Sequence, residues 1–321
     1  MDLAVKKQQL SLARSSRIKL LAKYKLRLIK VHRNGPRFYV AHCWLGKRPV
    51  IFKMCLFAHS LDPRTNEGLK REAVTLKYFH THKLGLLGQT TPDVAFYGAS
   101  GRTWYIREHL VGQCQSVRGS NFVFRPSFFT KSTADWLVDF FINLHRASKV
   151  LPQSMKGVYA RHTLKTNLRL INWPKVPQII PLPNATDRIK SWFSKQERLF
   201  DSNQNVLTHY EPYASHFFYA KQKHFKIIDW ENVDWGSPAH DLSIIWNRAF
   251  EHPAWQKYLV NKFSKLTSSR RVFKRLFETE TILQGLSNID YFYRTSQPVE
   301  KKLKKKAIAF YQKNILEILK G

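Results

Sequence analysis

The sequence predicts an α+β protein of two lobes, with an antiparallel sheet and one helix in a smaller first lobe and mostly helices in a larger second lobe. Residues 24–110 contain five strand-like runs separated by turn signals, whereas residues 242–321 show helical apolar spacing. With 321 residues, of which 43% are hydrophobic, the chain can bury a substantial core. An aromatic content of 14% also argues against disorder.

The predicted domains are a basic N-terminal helix over residues 1–23, a first lobe over residues 24–112 and a second lobe over residues 113–321. We expect the N-terminal helix to lie on the first lobe with a solvated Lys/Arg face. Contact with phosphates or a membrane, or a role as a mitochondrial presequence, are the alternatives. The tail helix is predicted to begin near Pro298. No run of about 18 apolar residues is present, so we predict no transmembrane helix.

Two charged positions stand out in the first lobe. Turn signals at residues 32–36 and 45–49 separate three strands, and Lys53 lies near the end of the third. Residues 66–80 have helical spacing, with Glu72 between the core positions Ala73 and Leu76, and Glu67 one turn earlier. The helical period therefore favours Glu72 over Glu67 as the glutamate that faces the core, whereas Lys53 taken alone also fits a solvated lysine at a strand end.

A second pattern lies in residues 205–242. Two short apolar runs, separated by about a dozen residues, lead to Glu211 and to Asp229. We predict a hairpin over residues 206–228 that places these two carboxylates near each other. Paired acids of this kind suit magnesium-dependent phosphoryl transfer, because one orients a hydroxyl and the other holds the metal that bridges the phosphates.

The same stretch resembles the aminoglycoside phosphotransferase and choline kinase family, the kinase-like small-molecule phosphotransferases. That family has His-x-Asp, a later Asn, an apolar strand ending in Asp-Trp/Phe-Glu, then Gly-x-Pro and Asp-Leu. This chain has Ile-Asp-Trp-Glu at 228–231, Gly-Ser-Pro at 236–238 and Asp-Leu at 241–242. The resemblance implies a two-lobed protein-kinase-like fold and an ATP-dependent phosphotransferase that uses Mg²⁺ and acts on a hydroxyl of a small molecule.

The resemblance also implies roles for individual residues. The residues assigned to nucleotide binding are Lys53, Glu72, Glu108 and Leu110, the last two through their backbones at the end of the fifth strand. The residues assigned to the metal are Asp229, His216 and Glu231. The residues assigned to catalysis are Glu211 as the base, Asp229, and His209 in support. Asp241 is expected to tie the loop down by accepting backbone hydrogen bonds.

Two positions depart from the family pattern. Glu211 stands where the family has its catalytic Asp, and a side chain one methylene longer moves a base by roughly an ångström. His216 stands where the family has a metal-binding Asn, and Mg²⁺ prefers oxygen to imidazole. Three interpretations stay open: an enzyme with Glu211 as base, an enzyme that prefers Mn²⁺ through His216, or an inactive nucleotide-binding relic.

The charge balance suggests a function from another class. The chain has 54 Lys and Arg against 22 Asp and Glu, a formal net charge of +32. Such an excess attracts polyanions, so the alternative is a pseudokinase-like module that binds RNA or another polyanion through its basic surface, including Lys301 to Lys306. A proteome with a general basic bias explains the same charge. The field argues against a polycationic acceptor.

The three cysteines, Cys43, Cys55 and Cys114, show neither paired metal spacing nor an even disulfide framework. A reducing compartment is therefore expected, and we predict a cytoplasmic protein.

Overall fold

The computed structural model describes residues 3–117, 120–220, 225–294 and 301–320. Two compact units divide the chain: the first comprises Met1–Cys114 and Phe217–Val233, and the second comprises Gln115–His216 and Asp234–Gly321. The predicted α+β class is confirmed, with an antiparallel sheet in the N-terminal part and a mostly helical C-terminal part. The domain boundaries drawn from the sequence stay a prediction, and the first unit takes residues 217–233 from the later part of the chain.

The first unit is built on a five-stranded antiparallel sheet. Its strands are β1 (Leu26–Asn34), β2 (Phe38–Leu45), β3 (Arg48–Cys55), β4 (Val94–Gly98) and β5 (Trp104–Glu108). They lie in the order β1-β2-β3-β5-β4. Gly46, at the β2–β3 turn, has a φ of +59°, which glycine adopts without the steric cost that a Cβ imposes.

The N-terminal helix packs on this sheet. Helix α1 (Leu3–Lys23) contributes Ala13 to a core that contains Tyr39, Phe52 and Ile106 from three of the strands. Leu20 and Leu21 pack against the same core, while the lysines Lys6, Lys7 and Lys19 are exposed. The helix therefore buries one side on the sheet and leaves its basic side in solvent.

Helix α2 (Pro63–Thr81) brings a buried glutamate to the sheet. Asp62 accepts a hydrogen bond from the backbone N–H of Thr65, which caps the helix, and a proline occupies its first turn. Leu69, Ala73 and Leu76 have no exposed surface, and Glu72 lies among them at 1% exposure. The apolar face of α2 thus carries a carboxylate into the first unit. A short helix, α3 (Leu86–Thr90), follows.

The strand pairing predicted for residues 206–228 is wrong. In the first unit, β6 (Gly112–Cys114), β8 (Phe217–Ala220) and β9 (Phe225–Ile227) form a three-stranded sheet in the order β6-β8-β9. In the second unit, β7 (Val206–Thr208) pairs instead with β10 (Asp234–Gly236). A Cβ at Gly236 would lie 2.7 Å from the side chain of Thr208, so only glycine permits this close pairing.

Helices make up most of the second unit. The longer ones are α4 (Lys131–Val150), α8 (Ala185–Ser202), α9 (His240–Arg248), α10 (Pro253–Lys265), α11 (Arg270–Arg294) and α12 (Lys301–Lys320). The shorter ones are α5 (Gln153–Lys156), α6 (Leu164–Leu168) and α7 (Val176–Ile179). Helix α4 packs on β7, and α11 packs on α9 and α12. Thr130 caps α4 by accepting from the backbone N–H of Thr133.

The tail helix carries the basic segment noted in the sequence. Lys301, Lys302, Lys305 and Lys306 are exposed on α12, and Lys306 pairs with Glu251 at 2.6 Å. The predicted helix start near Pro298 lies outside the described residues, and the polyanion-binding alternative stays a prediction. None of the helices in the described part of the chain combines the length and the apolar character needed to span a bilayer.

Candidate active site

Lys53 is the centre of a buried ionic cluster in the first unit. Its Nζ lies 2.9 Å from Glu72 Oε2, 3.1 Å from Asp229 Oδ1 and 3.4 Å from Glu231 Oε2. Lys53 faces Val40 on β2 and Tyr105 on β5 across the sheet. Only 7% of the residue is exposed. One ammonium group thus joins strand β3, helix α2 and the loop after β9.

Close backbone packing holds this loop against α2. The backbone N–H of Trp230 donates to Glu72 Oε1 at 3.3 Å, so the two oxygens of Glu72 bind the loop and Lys53 separately. A Cβ at Gly68 would lie 3.0 Å from the carbonyl oxygen of Glu231, which shows how close the helix comes. Asp229 has a φ of +68°, an uncommon backbone conformation for a residue other than glycine. The loop geometry is therefore set by specific contacts on both sides of Asp229.

The cluster determines the charge states of its members. Burial alone lowers the pKa of Lys53, but the carboxylates of Asp229 and Glu72 outweigh it and raise the pKa well above its ordinary value. Burial raises the pKa of Glu231, and the nearby Lys53 opposes that effect. Lys53 therefore stays protonated at neutral pH and supplies a fixed positive charge next to three acidic groups.

The carboxylates of this cluster fit a hard divalent cation. Glu72, Asp229 and Glu231 each offer an oxygen, and these three atoms lie within 4.8 Å of one another. Mg²⁺ and Mn²⁺ favour such oxygen ligands, and Mg²⁺ in phosphoryl-transfer sites is bound by one or two carboxylates together with phosphate oxygens. Asp229 has one third of its side chain exposed, whereas Glu72 and Glu231 are buried. Asp229 is therefore the carboxylate most open to an incoming ion.

The two predicted hinge residues follow at the end of β5. The backbone N–H of Glu108 donates to the carbonyl of Asp93 at 2.8 Å, and its carbonyl accepts from Arg107 Nη1 at 2.9 Å. Its side chain pairs with Lys226 at 3.7 Å. Among the described residues, no backbone hydrogen bond involves Leu110. Of the two predicted hinge contacts, the one at Leu110 therefore needs no internal bond to be broken.

The second unit contains the other three predicted site residues, His209, Glu211 and His216. They lie on the loop that follows β7, which ends in a short 3₁₀ turn, Ala214–His216. The Nδ1 of His216 donates to the carbonyl oxygen of Glu211 at 2.7 Å, and the backbone N–H of Tyr213 donates to the same oxygen. The guanidinium of Arg248 stacks over Tyr213 at 4.4 Å. These contacts fix the backbone of Glu211 in a compact turn.

Asp241 anchors the start of this loop. Its Oδ2 accepts from the backbone N–H of His209 at 2.7 Å, and its Oδ1 accepts from that of Tyr210 at 2.9 Å. Burial raises the pKa of Asp241 to about 6, while His240 and the two backbone bonds oppose the shift. Burial lowers the pKa of His240, but Glu280, whose Oε2 lies 3.0 Å from the imidazole Nδ1, raises it above its ordinary value.

We expect Asp241→Asn to flatten the pH dependence of folding stability. Because the folded-state pKa of about 6 lies above the ordinary value of 3.8, the stability that Asp241 contributes is complete below pH 3.8 and is lost as the pH rises through about 6. A shift of this size corresponds to about 3 kcal/mol. Urea unfolding between pH 4.5 and 7 measures it, with the exposed Asp187→Asn as control. Equal slopes in the wild type and Asp241→Asn would contradict the assignment.

The sequence did not predict two features of the site. Arg37 Nη2 lies 3.1 Å from Glu231 Oε1 in the first unit, although the two residues are 194 positions apart. In the second unit, Asp234 accepts from the N–H of Ala160 at 2.8 Å and contacts His162 Nε2 at 3.0 Å. Each contact joins residues distant in sequence, and the only local signal was that Arg37 follows a turn.

Comparisons with known proteins show what the chain is similar to. Residues 123–272 match the model of the phosphotransferase enzyme family. An aminoglycoside phosphotransferase, APH(2")-IIia, in complex with GDP and kanamycin is 13% identical over 94% of this chain and 99% of its own, with a TM-score of 0.59. The aminoglycoside phosphotransferase of Alicyclobacillus acidocaldarius is 13% identical over 94% of each chain, with a TM-score of 0.57. Choline kinase LicA of Streptococcus pneumoniae is 14% identical over 96% of this chain and 99% of its own, with a TM-score of 0.53.

Comparison with curated protein sequences gave no match. The structural neighbours establish the fold, and the family match adds a sequence relationship over residues 123–272. The resemblance to the aminoglycoside phosphotransferase and choline kinase family is therefore confirmed. Together these findings support a small-molecule phosphotransferase.

Proposed function

Starting from this similarity to the aminoglycoside phosphotransferase and choline kinase family, we propose that the chain transfers the terminal phosphoryl group of ATP to a hydroxyl of a small molecule. The observation that carries the proposal is the cluster of Lys53 with Glu72, Asp229 and Glu231. A buried lysine that is fixed by a helix glutamate and lies beside acidic metal ligands is the arrangement that phosphoryl transfer from a metal-bound nucleotide requires.

In the first unit, each member of the cluster has a separate task. Lys53 binds the nucleotide phosphates, and Glu72 orients its ammonium group through the 2.9 Å contact. Asp229 is the principal metal ligand because it is the most exposed of the three acids, and Glu231 is a further metal or water ligand. A bound Mg²⁺ or Mn²⁺ neutralises charge on the phosphate oxygens. The backbone of Leu110 contacts the adenine.

In the second unit, we assign Glu211 as the base that accepts the proton of the acceptor hydroxyl. Its backbone is fixed by two hydrogen bonds to its carbonyl oxygen, which favours a defined side-chain position. His209 is fully buried next to it and braces the loop through its bond to Asp241. His216 uses Nδ1 in its bond to Glu211, so its proposed role as a metal ligand runs through Nε2. That role favours Mn²⁺ over Mg²⁺.

The net charge limits the acceptor class. With 54 basic and 22 acidic residues, the field of the protein repels polycations and attracts anions. Arg161, Lys165 and Arg169 are exposed in the part of the second unit that we propose for acceptor recognition. We therefore propose a neutral or anionic acceptor, in contrast to the kanamycin bound by one of the structural neighbours.

Replacing Asp229 tests the proposal. We expect Asp229→Ala to reduce ATP consumption in the presence of Mg²⁺ or Mn²⁺ by at least about a hundredfold, because the principal metal ligand is lost. The assay follows ADP release with water and with a panel of neutral and anionic hydroxyl compounds as acceptors. Asp93→Asn, an exposed aspartate of the same unit with 58% of its side chain accessible, is the matched control. Full ATP consumption by Asp229→Ala would show that the assignment is wrong.

A further inference from the structure

A second cation, Arg37, contacts the carboxylate cluster around Lys53. Arg37 lies in the turn between β1 and β2, and its Nη2 is 3.1 Å from Glu231 Oε1. Lys53 takes the other oxygen of the same carboxylate at 3.4 Å. Arg37 Cζ lies 5.2 Å from the centre of the Phe38 ring, and Lys53 Nζ lies 4.6 Å from it. The two cations thus share one aromatic ring and one carboxylate.

The two cations differ in their freedom to move. Lys53 has 9% of its side chain exposed and is bonded to three acids, whereas Arg37 has 51% exposed and pairs, within the described residues, with the one carboxylate of Glu231. Because about half of its side chain is exposed, Arg37 changes rotamer without displacing packed side chains, and the buried Glu231 keeps its contact with Lys53. Arg37 is therefore the member of the cluster that can exchange partners while Lys53 stays in place.

Metal binding creates a reason for that exchange. A divalent ion coordinated by Glu231 needs one of its two oxygens, and Arg37 occupies Oε1. The cluster contains three carboxylates and two cations, so its formal charge is about −1 when all five groups are ionised. An added divalent ion makes the net charge of the cluster positive. The guanidinium of Arg37 is then no longer needed to neutralise the charge of Glu231. The phosphates that accompany the ion offer that guanidinium new acceptors.

We propose that Arg37 is a partner-exchanging nucleotide ligand: it bonds to Glu231 when no metal nucleotide is present, and it moves to a phosphate oxygen of the nucleotide when the metal takes Glu231. The inference rests on the proposed function and adds a phosphate contact to it. No proton or covalent bond is transferred in the exchange. The one ionic hydrogen bond between Arg37 and Glu231 is replaced by a metal–Glu231 coordination bond and a guanidinium–phosphate contact.

The sequence of the hairpin agrees with this role. Gly35 is the single glycine in the turn over residues 32–36. The turn therefore lacks the repeated glycines that let backbone amides surround phosphates. An arginine offers instead a planar pair of donors that matches phosphate geometry. The hairpin therefore contributes a side-chain charge where a glycine-rich loop contributes backbone N–H groups.

The test compares Arg37→Gln and Arg37→Lys with the wild type, and uses Arg27→Gln as the control. Arg27 is exposed on β1 and pairs with Trp44 in the sheet register, whereas Arg37 lies at the other end of the β1–β2 hairpin. Calorimetric titration measures the affinity for three probes: Mn²⁺ alone, ATP with Mn²⁺, and adenosine. Unfolding without ligand verifies that each variant is folded.

We expect Arg37→Gln to bind Mn²⁺ alone several-fold more tightly, since Glu231 is released, and to bind ATP with Mn²⁺ about tenfold more weakly. Adenosine affinity stays unchanged because no phosphate is present. The affinities of Arg37→Lys should lie between those of Arg37→Gln and the wild type, and the affinities of Arg27→Gln should match those of the wild type. Partner exchange predicts opposite changes in the affinities for Mn²⁺ alone and for ATP with Mn²⁺. A purely structural role of Arg37 predicts that both affinities fall.

Unchanged affinities in Arg37→Gln, or weaker binding of both manganese probes, overturn the inference while the proposed function stands. A wild-type protein that binds neither Mn²⁺ nor ATP overturns the proposed function, and the inference falls with it. The wild-type arm therefore distinguishes the two failures.

Discussion

Lys53→Met should weaken nucleotide binding and destabilise the first unit at neutral pH. Lys53 has 9% of its side chain exposed, and its Nζ lies within 3.4 Å of carboxylate oxygens of Glu72, Asp229 and Glu231. Its removal leaves these carboxylates close together without their common counter-ion. The loss of one partner from a buried ionic group costs about 3–5 kcal/mol. It also removes the charge proposed to bind phosphates, which reduces ATP affinity by at least about tenfold.

The destabilisation should depend on pH in a defined direction. The repulsion among the three acids is relieved when one of them takes up a proton, so the deficit of Lys53→Met narrows as the pH falls from 7 towards 5. Urea unfolding at both pH values measures it. Lys47→Met changes an exposed lysine in the β2–β3 turn of the same sheet and is the control. A Lys53→Met protein as stable as this control at pH 7 would disprove the role of Lys53 in the cluster.

Trp230→Ala should destabilise the first unit strongly through the loss of a buried aromatic side chain. Trp230 has no exposed surface and meets Phe79 of α2 edge-on, with ring centres 5.4 Å apart. Its Nε1 donates to the carbonyl of Ile227 at 3.2 Å. Truncating a buried tryptophan costs about 3–5 kcal/mol, because a large cavity opens and packing is lost. Trp230 lies between Asp229 and Glu231, so metal affinity should fall as well.

Trp230→Phe separates the two contributions. Phenylalanine keeps much of the apolar contact with Phe79 and the backbone N–H bond to Glu72, and it loses the indole donor and the extra volume of the indole ring. We expect less than half of the destabilisation of Trp230→Ala in urea unfolding, with metal affinity largely retained. A cost below about 1 kcal/mol for Trp230→Ala would be inconsistent with its full burial.

Local periodicity predicted the first lobe well because its elements follow one another in the chain. Strand alternation and helical spacing gave the five strands and α2, and the position of Glu72 between Ala73 and Leu76 indicated the buried face. In the structure, Glu72 contacts Lys53, whereas Glu67 is exposed and contacts His59 at 2.8 Å. The period of a helix is sufficient to separate these two glutamates.

Contacts between residues distant in sequence could not be predicted from local periodicity. The apolar run at β7 was paired with the nearer run, but β7 pairs with β10, where Gly236 allows the close approach of Thr208. The contact between Arg37 and Glu231 also depends on the folded path of the chain and has no counterpart in local spacing. Sequence pattern specifies which face of an element is buried, and tertiary packing decides which partner meets it.

The loop with Glu211 and His216 shows how a departure from a family pattern is accommodated. His216 Nδ1 bonds to the Glu211 carbonyl, so the histidine stabilises the turn that carries the glutamate. The anchor beneath it is the one expected from the resemblance, with Asp241 accepting from His209 and Tyr210. The backbone support of the loop is thus present even though its two functional side chains differ from the family pattern.

The central claim is that the carboxylates around Lys53 bind a metal nucleotide. Thermal unfolding of the wild-type protein with ATP, with Mg²⁺ or Mn²⁺, and with each ion together with ATP tests this claim most directly, because a ligand that binds only the native state raises the melting temperature. We expect a rise that grows with ATP concentration and that requires the divalent ion. An unchanged melting temperature at millimolar ATP with either ion would contradict the account.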